Sequence, residues 1–138
     1  MSTTVMVFGT FDIFHKGHEF YFQKAKEYGD KLIVVIARDE TVAKIKGFLP
    51  QNNEQNRLKT IEKSHLIHKA ILGNLGDKFK VIEEYKPDVL VFGYDQQSFN
   101  IGIEKELKKR NLEDIKIVQI KDALKPQKYK SSLFKVSK

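Results

Sequence analysis

Apolar and polar positions along the chain fall into segments that alternate between two periods. Residues 4–8 (Thr-Val-Met-Val-Phe) are β-branched and apolar and end at Gly9, which predicts a first buried strand. Over residues 16–28 the spacing changes to three and four at Phe20, Tyr21, Ala25 and Tyr28, with Gly29 as a stop, and predicts a helix. Residues 31–37 (Lys-Leu-Ile-Val-Val-Ile-Ala) are almost continuously apolar, as in a strand covered on both faces of a parallel sheet. A short helix or turn follows through Val42 and Ile45, and then a polar loop from Lys46-Gly47 to about Asn53, the candidate lid.

The same alternation continues to the end of the sequence. Helices are predicted over residues 54–65, with Leu58, Ile61 and His65 on the buried side, over 77–85 ahead of Pro87, and over 101–111. Strands are predicted over 68–72, 88–92 and 115–120, and a last short helix over 131–136, capped by Ser131 or Ser132. Strands alternating with helices at these spacings imply βαβ crossovers. The predicted fold is one α/β domain over residues 1–138: doubly wound, Rossmann-like, with about five parallel strands and helices on both faces.

In such folds ligands sit at the carboxyl ends of the strands. The loops there, residues 9–15, 38–46, 93–99 and 121–129, carry most of the chain's unusual polar residues. The first holds Gly9-Thr10-Phe11-Asp12-Ile13-Phe14-His15-Lys16-Gly17-His18, where a helix should begin. His15 and His18, three residues apart, face one side of that first turn, and a helix N-terminus favours anions. This is a place to hold and transfer phosphate. Gly9 and Gly17 would admit a close approach or a tight turn that a Cβ would block. Asp12 reads as a turn former that fixes the loop by side-chain to backbone bonding rather than a catalytic acid. Asp39-Glu40 reads as an N-cap rather than a metal pair. His65 and His68 have no comparable context and read as a helix-end and a strand-start residue.

Composition narrows the classes. The chain is 41% hydrophobic and 31% charged, ordinary for a globular protein of 138 residues. It has no cysteine, which excludes disulfides and thiolate metal sites and suits a reducing cytoplasm. No segment reads as a secretory signal, and none approaches the roughly 18 apolar residues of a membrane span. The net charge of +7 raises the question of nucleic acid, but only three of the 25 basic residues are Arg. Most Lys residues alternate with acids on helical faces, as a solvated surface does. The exception is the tail from Lys125 to Lys138, with five Lys and no acid, which suits a multiply phosphorylated small ligand equally well.

The segment Gly-Thr-Phe-Asp-Ile-Phe-His-Lys-Gly-His resembles the signature of the cytidylyltransferase-like nucleotidyltransferases, in which a Gly-Thr-Phe-Asp turn leads into His-x-Gly-His. Gly9, Thr10, Phe11, Asp12, His15, Gly17 and His18 all match. Residues 35–42 (Val-Ile-Ala-Arg-Asp-Glu-Thr-Val), Ile45-Lys46-Gly47, Lys86-Pro87-Asp88-Val89 and Gly93-Tyr94-Asp95-Gln96 are similar to the archaeal-type FAD synthetases within that family. Glycerol-phosphate cytidylyltransferases instead carry Gly-Asp-Asp with a following Trp at the last of these places. The tail departs from the pattern: Lys125 and Lys128 stand where the family often has an Arg, and Lys130 precedes only two serines.

The resemblance implies nucleotidyl transfer from a nucleoside triphosphate to a phosphate-bearing acceptor, with release of pyrophosphate. It implies ATP and FMN as substrates, with CTP and glycerol 3-phosphate, or a similar ester, as the alternative pair. A non-catalytic nucleotide- or nucleic-acid-binding module is the reading outside enzymes. His15 and His18 would donate to phosphate oxygens, Lys46 (or Lys44) would reach over from the lid, and Arg57 would hold the leaving pyrophosphate. Gly9, Thr10, Phe11, Lys16 and Gly17 would line the nucleotide phosphates, and Asp95, Tyr129, Ser131 and Ser132 would close the nucleotide side. A Mg²⁺, or another divalent cation, would travel with the phosphates without a dedicated protein cage. Neither nucleic acid nor membrane is expected as a partner, and the resemblance allows a homodimer.

Overall fold

The computed structural model describes residues 2–93 and 102–120. Within them the apolar runs form five parallel strands: β1 (Thr4–Gly9), β2 (Lys31–Ile36), β3 (Lys69–Leu72), β4 (Val89–Phe92) and β5 (Lys116–Gln119). Five helices connect or follow them: α1 (Lys16–Lys26), α2 (Asp39–Lys46), α3 (Glu54–Glu62), α4 (Lys80–Tyr85) and α5 (Ile103–Lys109). The strand order is β3-β2-β1-β4-β5. Register pairs Gly9 with Ile36 and Val7 with Val91, so β1 lies between β2 and β4. The order reverses between β1 and β4, and the crevice of a doubly wound sheet opens at the carboxyl ends of those two strands.

The two faces of the sheet bury separate halves of one sequence pattern. Val5 and Val7 point to one side with Leu32, Val34 and Ile36, where Phe22 and Ala25 of α1 and Ile61 of α3 cover them. Met6 and Phe8 point to the other with Ile33 and Val35, under Val81 and Ile82 of α4 and Ile103 and Leu107 of α5. Alternate residues of one strand therefore feed both layers, which explains why β1 and β2 show no polar position in their interiors. No helix among the described residues is long and apolar enough to cross a membrane.

Several predicted boundaries shift. α1 buries Phe22 and Ala25 and half-buries Tyr21, whereas Tyr28 lies beyond the helix and is exposed. Tyr21 is held by its hydroxyl, which donates to the Val91 carbonyl at 2.7 Å and ties α1 to β4. α3 ends three residues before His65, which is exposed rather than on the buried side; its inward positions are Arg57, Leu58 and Ile61. α4 begins at Lys80, because Asp77 instead takes the Phe79 amide and forms a turn. The predicted helix over residues 131–136 lies outside the described residues.

Candidate active site

β1 delivers its chain to the crevice at Gly9, and the next six residues form a loop whose conformation is determined from below. Phe11 adopts φ +53°, a left-handed conformation that costs a non-glycine residue about 1–2 kcal/mol. Two contacts hold it there. Its ring is buried beneath the loop, and the preceding Thr10 carbonyl accepts from Arg57 Nη1 at 2.8 Å. A Cβ on Gly9 would stand 2.6 Å from Phe11 Cζ. Gly9 thus makes room for the Phe11 ring.

His15 caps α1 and His18 sits one turn in, and the two imidazoles hold each other. His15 Nδ1 accepts from the Gly17 amide at 3.0 Å, and His18 Nδ1 accepts from the His15 amide at 3.3 Å. The rings stack with centroids 4.0 Å apart. Phe14 stacks against the other side of His18 at 5.6 Å, and Phe11 meets it edge-on at 5.1 Å. Because each Nδ1 is an acceptor, each neutral ring carries its proton on Nε2. Burial lowers the pKa of His15, and burial followed by the nearby His15 lowers that of His18 to about 3. The pair is therefore two neutral donors through Nε2 near pH 7.

This arrangement corrects one expectation. The Gly17 amide, expected to face phosphate, bonds to His15 instead. A Cβ at Gly17 would meet His15 Cε1 at 2.8 Å, so glycine is needed here for the imidazole. Lys16 begins α1 with its side chain exposed.

Arg57 is where structure and expectation part most. Its side chain is fully buried, and its guanidinium faces three protein acceptors: the Asn52 carbonyl from Nε, the Thr10 carbonyl from Nη1, and Asp39 Oδ1 from Nη2 at 2.7 Å. It lies beneath the loop as a brace between three chain segments and presents no surface to a pyrophosphate. Asp39 is the first residue of α2, not its N-cap, and both its oxygens serve protein donors. Its second oxygen accepts the Glu54 amide, while Glu54 Oε1 accepts the Asp39 amide. The starts of α2 and α3 are thereby locked together.

Asp12 does bond side chain to backbone, but across 40 residues rather than within its own turn. Its carboxylate accepts the Gln51 and Asn52 amides, both at 2.8 Å. Burial works to raise its pKa, and these bonds, with Arg57 nearby, outweigh it and leave the carboxyl below its ordinary value. The far end of the candidate lid is thus clamped to the histidine loop. Lys46 belongs to the last turn of α2, is exposed, and pairs with no carboxylate among the described residues. Lys44 pairs with Glu40 one turn back at 3.6 Å. Asp95, Tyr129, Ser131 and Ser132 lie outside the described residues. Among the described residues no group of three or more His, Asp or Glu gathers to hold a metal.

In the sequence Asp39 reads only as a cap, and neither Asn52 nor the ring of Phe14 stands out. The Phe14–His18–Phe22 spacing of four was a visible signal for the last. The others depend on contacts between distant segments and had none.

Comparison with known proteins agrees with this geometry. The chain is 47% identical over 120 residues to an FAD synthase of Methanothermus fervidus, covering 85% of this chain and 81% of that protein. It is 44% identical over 119 residues to an FAD synthase of Methanosarcina mazei, covering 86% and 76%. A crystal structure of a lipopolysaccharide core biosynthesis protein from Thermoplasma volcanium superposes with a TM-score of 0.81 at 39% identity, covering 87% of this chain and 97% of that one. With residues 6–136 matched to the family as a whole, the chain belongs to the cytidylyltransferase-like family.

Proposed function

We propose that this protein is an FMN adenylyltransferase, joining the AMP unit of ATP to FMN to give FAD and pyrophosphate. The observation that carries the chemistry is the stacked pair of neutral imidazoles, each with Nδ1 occupied by a backbone amide. The FMN phosphate oxygen attacks the α-phosphorus, an O–P bond forms, and the bond to the bridging oxygen of the leaving pyrophosphate breaks. The nucleophile is already anionic, so no side chain has to remove a proton. What the reaction needs is charge stabilisation on the crowded α-phosphate and correct placement. Two preset Nε2–H donors in a partly buried site supply the first without reorganising.

Lys46 reaches the phosphates from the end of α2, and Lys16 adds charge at the start of α1. Arg57 acts as a positioning residue through Thr10, Phe11 and His18. Asp95, Tyr129, Ser131 and Ser132 retain the nucleotide-side roles that the family resemblance implies. A Mg²⁺ fits this site as an ion held by nucleotide phosphates and water. Both Asp12 oxygens and both Asp39 oxygens already serve protein donors, so no carboxylate cage is on offer among the described residues. When bound, the ion neutralises triphosphate charge. The FAD synthase relatives favour FMN and ATP over glycerol 3-phosphate and CTP. Soluble substrates and the lack of cysteine suit a reducing cytoplasm.

Pyrophosphate release with FMN and ATP, set against glycerol 3-phosphate and CTP, tests the assignment. Turnover is expected with the first pair, and FAD should appear in equal amount. Turnover confined to CTP overturns it.

A further inference from the structure

Six large apolar side chains are exposed among the described residues: Ile13, Tyr28, Ile45, Phe48, Leu49 and Leu75. Scattered singly they would need no explanation. Five of the six, however, lie in segments that follow the carboxyl ends of β1, β2 and β3, and three lie within five residues of one another. Ile45, Phe48 and Leu49 are 76%, 64% and 66% exposed.

Those three occupy the tip of an excursion with a braced foot. The chain leaves the sheet at Asp39 and returns at Asn52, and Arg57 bonds both points. Asp12 holds the returning strand through Gln51 and Asn52, and Glu54 locks to Asp39. The eight residues of α2 carry the tip about 12 Å from that foot. Gly47, at φ +85°, ends the helix and turns the chain back. Beside the foot, Arg38 lines an open cleft of about 280 Å³ with Gly73, Asn74, Leu75 and Tyr85.

We propose that the tip of this flap, Phe48 and Leu49 with Ile45 beside them, carries the planar aromatic ring system of the phosphate-bearing acceptor. This rests on the adenylyltransferase reading above, since a flavin has such a ring and a glycerol phosphate has none. Lys46, the flap's unpaired cation among the described residues, is two positions from Phe48, so the tip joins an anion-binding group to an apolar surface. That is the order of groups along a flavin phosphate. The tip is too small to serve as a dimer interface. Three side chains so exposed present on the order of 400 Å², about half of the roughly 800 Å² per partner that a stable interface buries.

The test is the double variant Phe48→Ser, Leu49→Ser beside Phe48→Trp, with thermal melting to check that each folds. In the double variant the KM for FMN should rise at least about tenfold, with the KM for ATP within about twofold. Quenching of FMN fluorescence in a binding titration should weaken in parallel, and Phe48→Trp should retain both. An unchanged KM and binding curve for FMN in the double variant overturns the inference. Conversion of a dimer to a monomer with FMN binding intact also overturns it, and assigns the tip to a second copy. Failure of the wild type itself to make FAD overturns the adenylyltransferase reading, and it is seen before any substitution is made.

Discussion

Asp39→Asn separates a brace from a phosphate ligand. The substitution keeps the shape of the side chain and removes the negative charge that faces Arg57 Nη2 at 2.7 Å. Arg57 is fully buried, and stripping a buried cation of its carboxylate costs about 3–5 kcal/mol. Two features reduce that figure. Asp39 keeps 28% of its side chain exposed, so water screens part of the pair, and the Asn carbonyl oxygen still accepts one hydrogen bond. A loss of about 2 kcal/mol is the resulting expectation. With a urea m-value near 2 kcal/mol per molar, the unfolding midpoint should fall by about 1 M.

Below that midpoint, activity should change in a particular way. If Arg57 only braces the loop, the KM for ATP stays within about twofold and kcat falls less than about tenfold, as the Thr10–Phe11 turn loosens under His18. Arg57→Lys should destabilise about as much as Asp39→Asn, because one ammonium cannot reach three acceptors held by a planar fork. The assays are urea unfolding followed by circular dichroism and steady-state pyrophosphate release. An unchanged midpoint with a KM for ATP raised tenfold or more would refute the reasoning, since Arg57 would then leave its partners to bind phosphate.

Replacing His18 by Ala should lower kcat on the order of 10²-fold by deleting one Nε2–H donor, which single-turnover kinetics would show; near-normal turnover would remove His18 from the chemistry. Gly17→Ala should lower kcat by at least about tenfold while stability stays within about 1 kcal/mol, because the gain in helix propensity offsets the push on His15. Equal losses of activity and melting temperature would mean a general packing defect. Stability should fall as pH drops below about 6.5, since the unfolded chain then binds protons that the buried native His15 and His18 refuse. His18 alone contributes a slope of up to about 1.4 kcal/mol per pH unit, and His18→Gln should flatten denaturation curves between pH 6.5 and 5.

What the sequence made legible follows from the range of the interactions. β1, β2 and β4 are apolar runs buried on both faces, so their order along the chain needed no tertiary information. His15 and His18 are three residues apart on one helix turn, and their stacking is a consequence of that spacing. Arg57 shows the opposite case. On α3 it reads as an ordinary helical cation with acids on either side, and only closure of the sheet brings Thr10 and Asp39 to it. Asp12 was correctly read as bonding side chain to backbone, yet its partner lies 40 residues away. Gly9 and Gly17 were correctly singled out for lack of space, but the occupant in each case is a neighbouring ring, Phe11 or His15, which no spacing rule distinguishes from a ligand.

On the proposed reading, chemistry and acceptor choice sit on different parts of one braced frame. The imidazole pair is held by local bonds within α1 and by the rings of Phe11 and Phe14, so it needs no ligand to be in place. The flap that carries Lys46, Phe48 and Leu49 shares its foot with that frame through Arg57, Asp12 and Asp39, while its tip projects free of the core. A substitution at the foot acts on both functions at once, through stability and through the loop beneath His18. A substitution at the tip is expected to weaken the hold on the acceptor and to leave the donors where they are. On that reading the histidines answer to the phosphates of the transfer, and the flap tip to the ring of the acceptor.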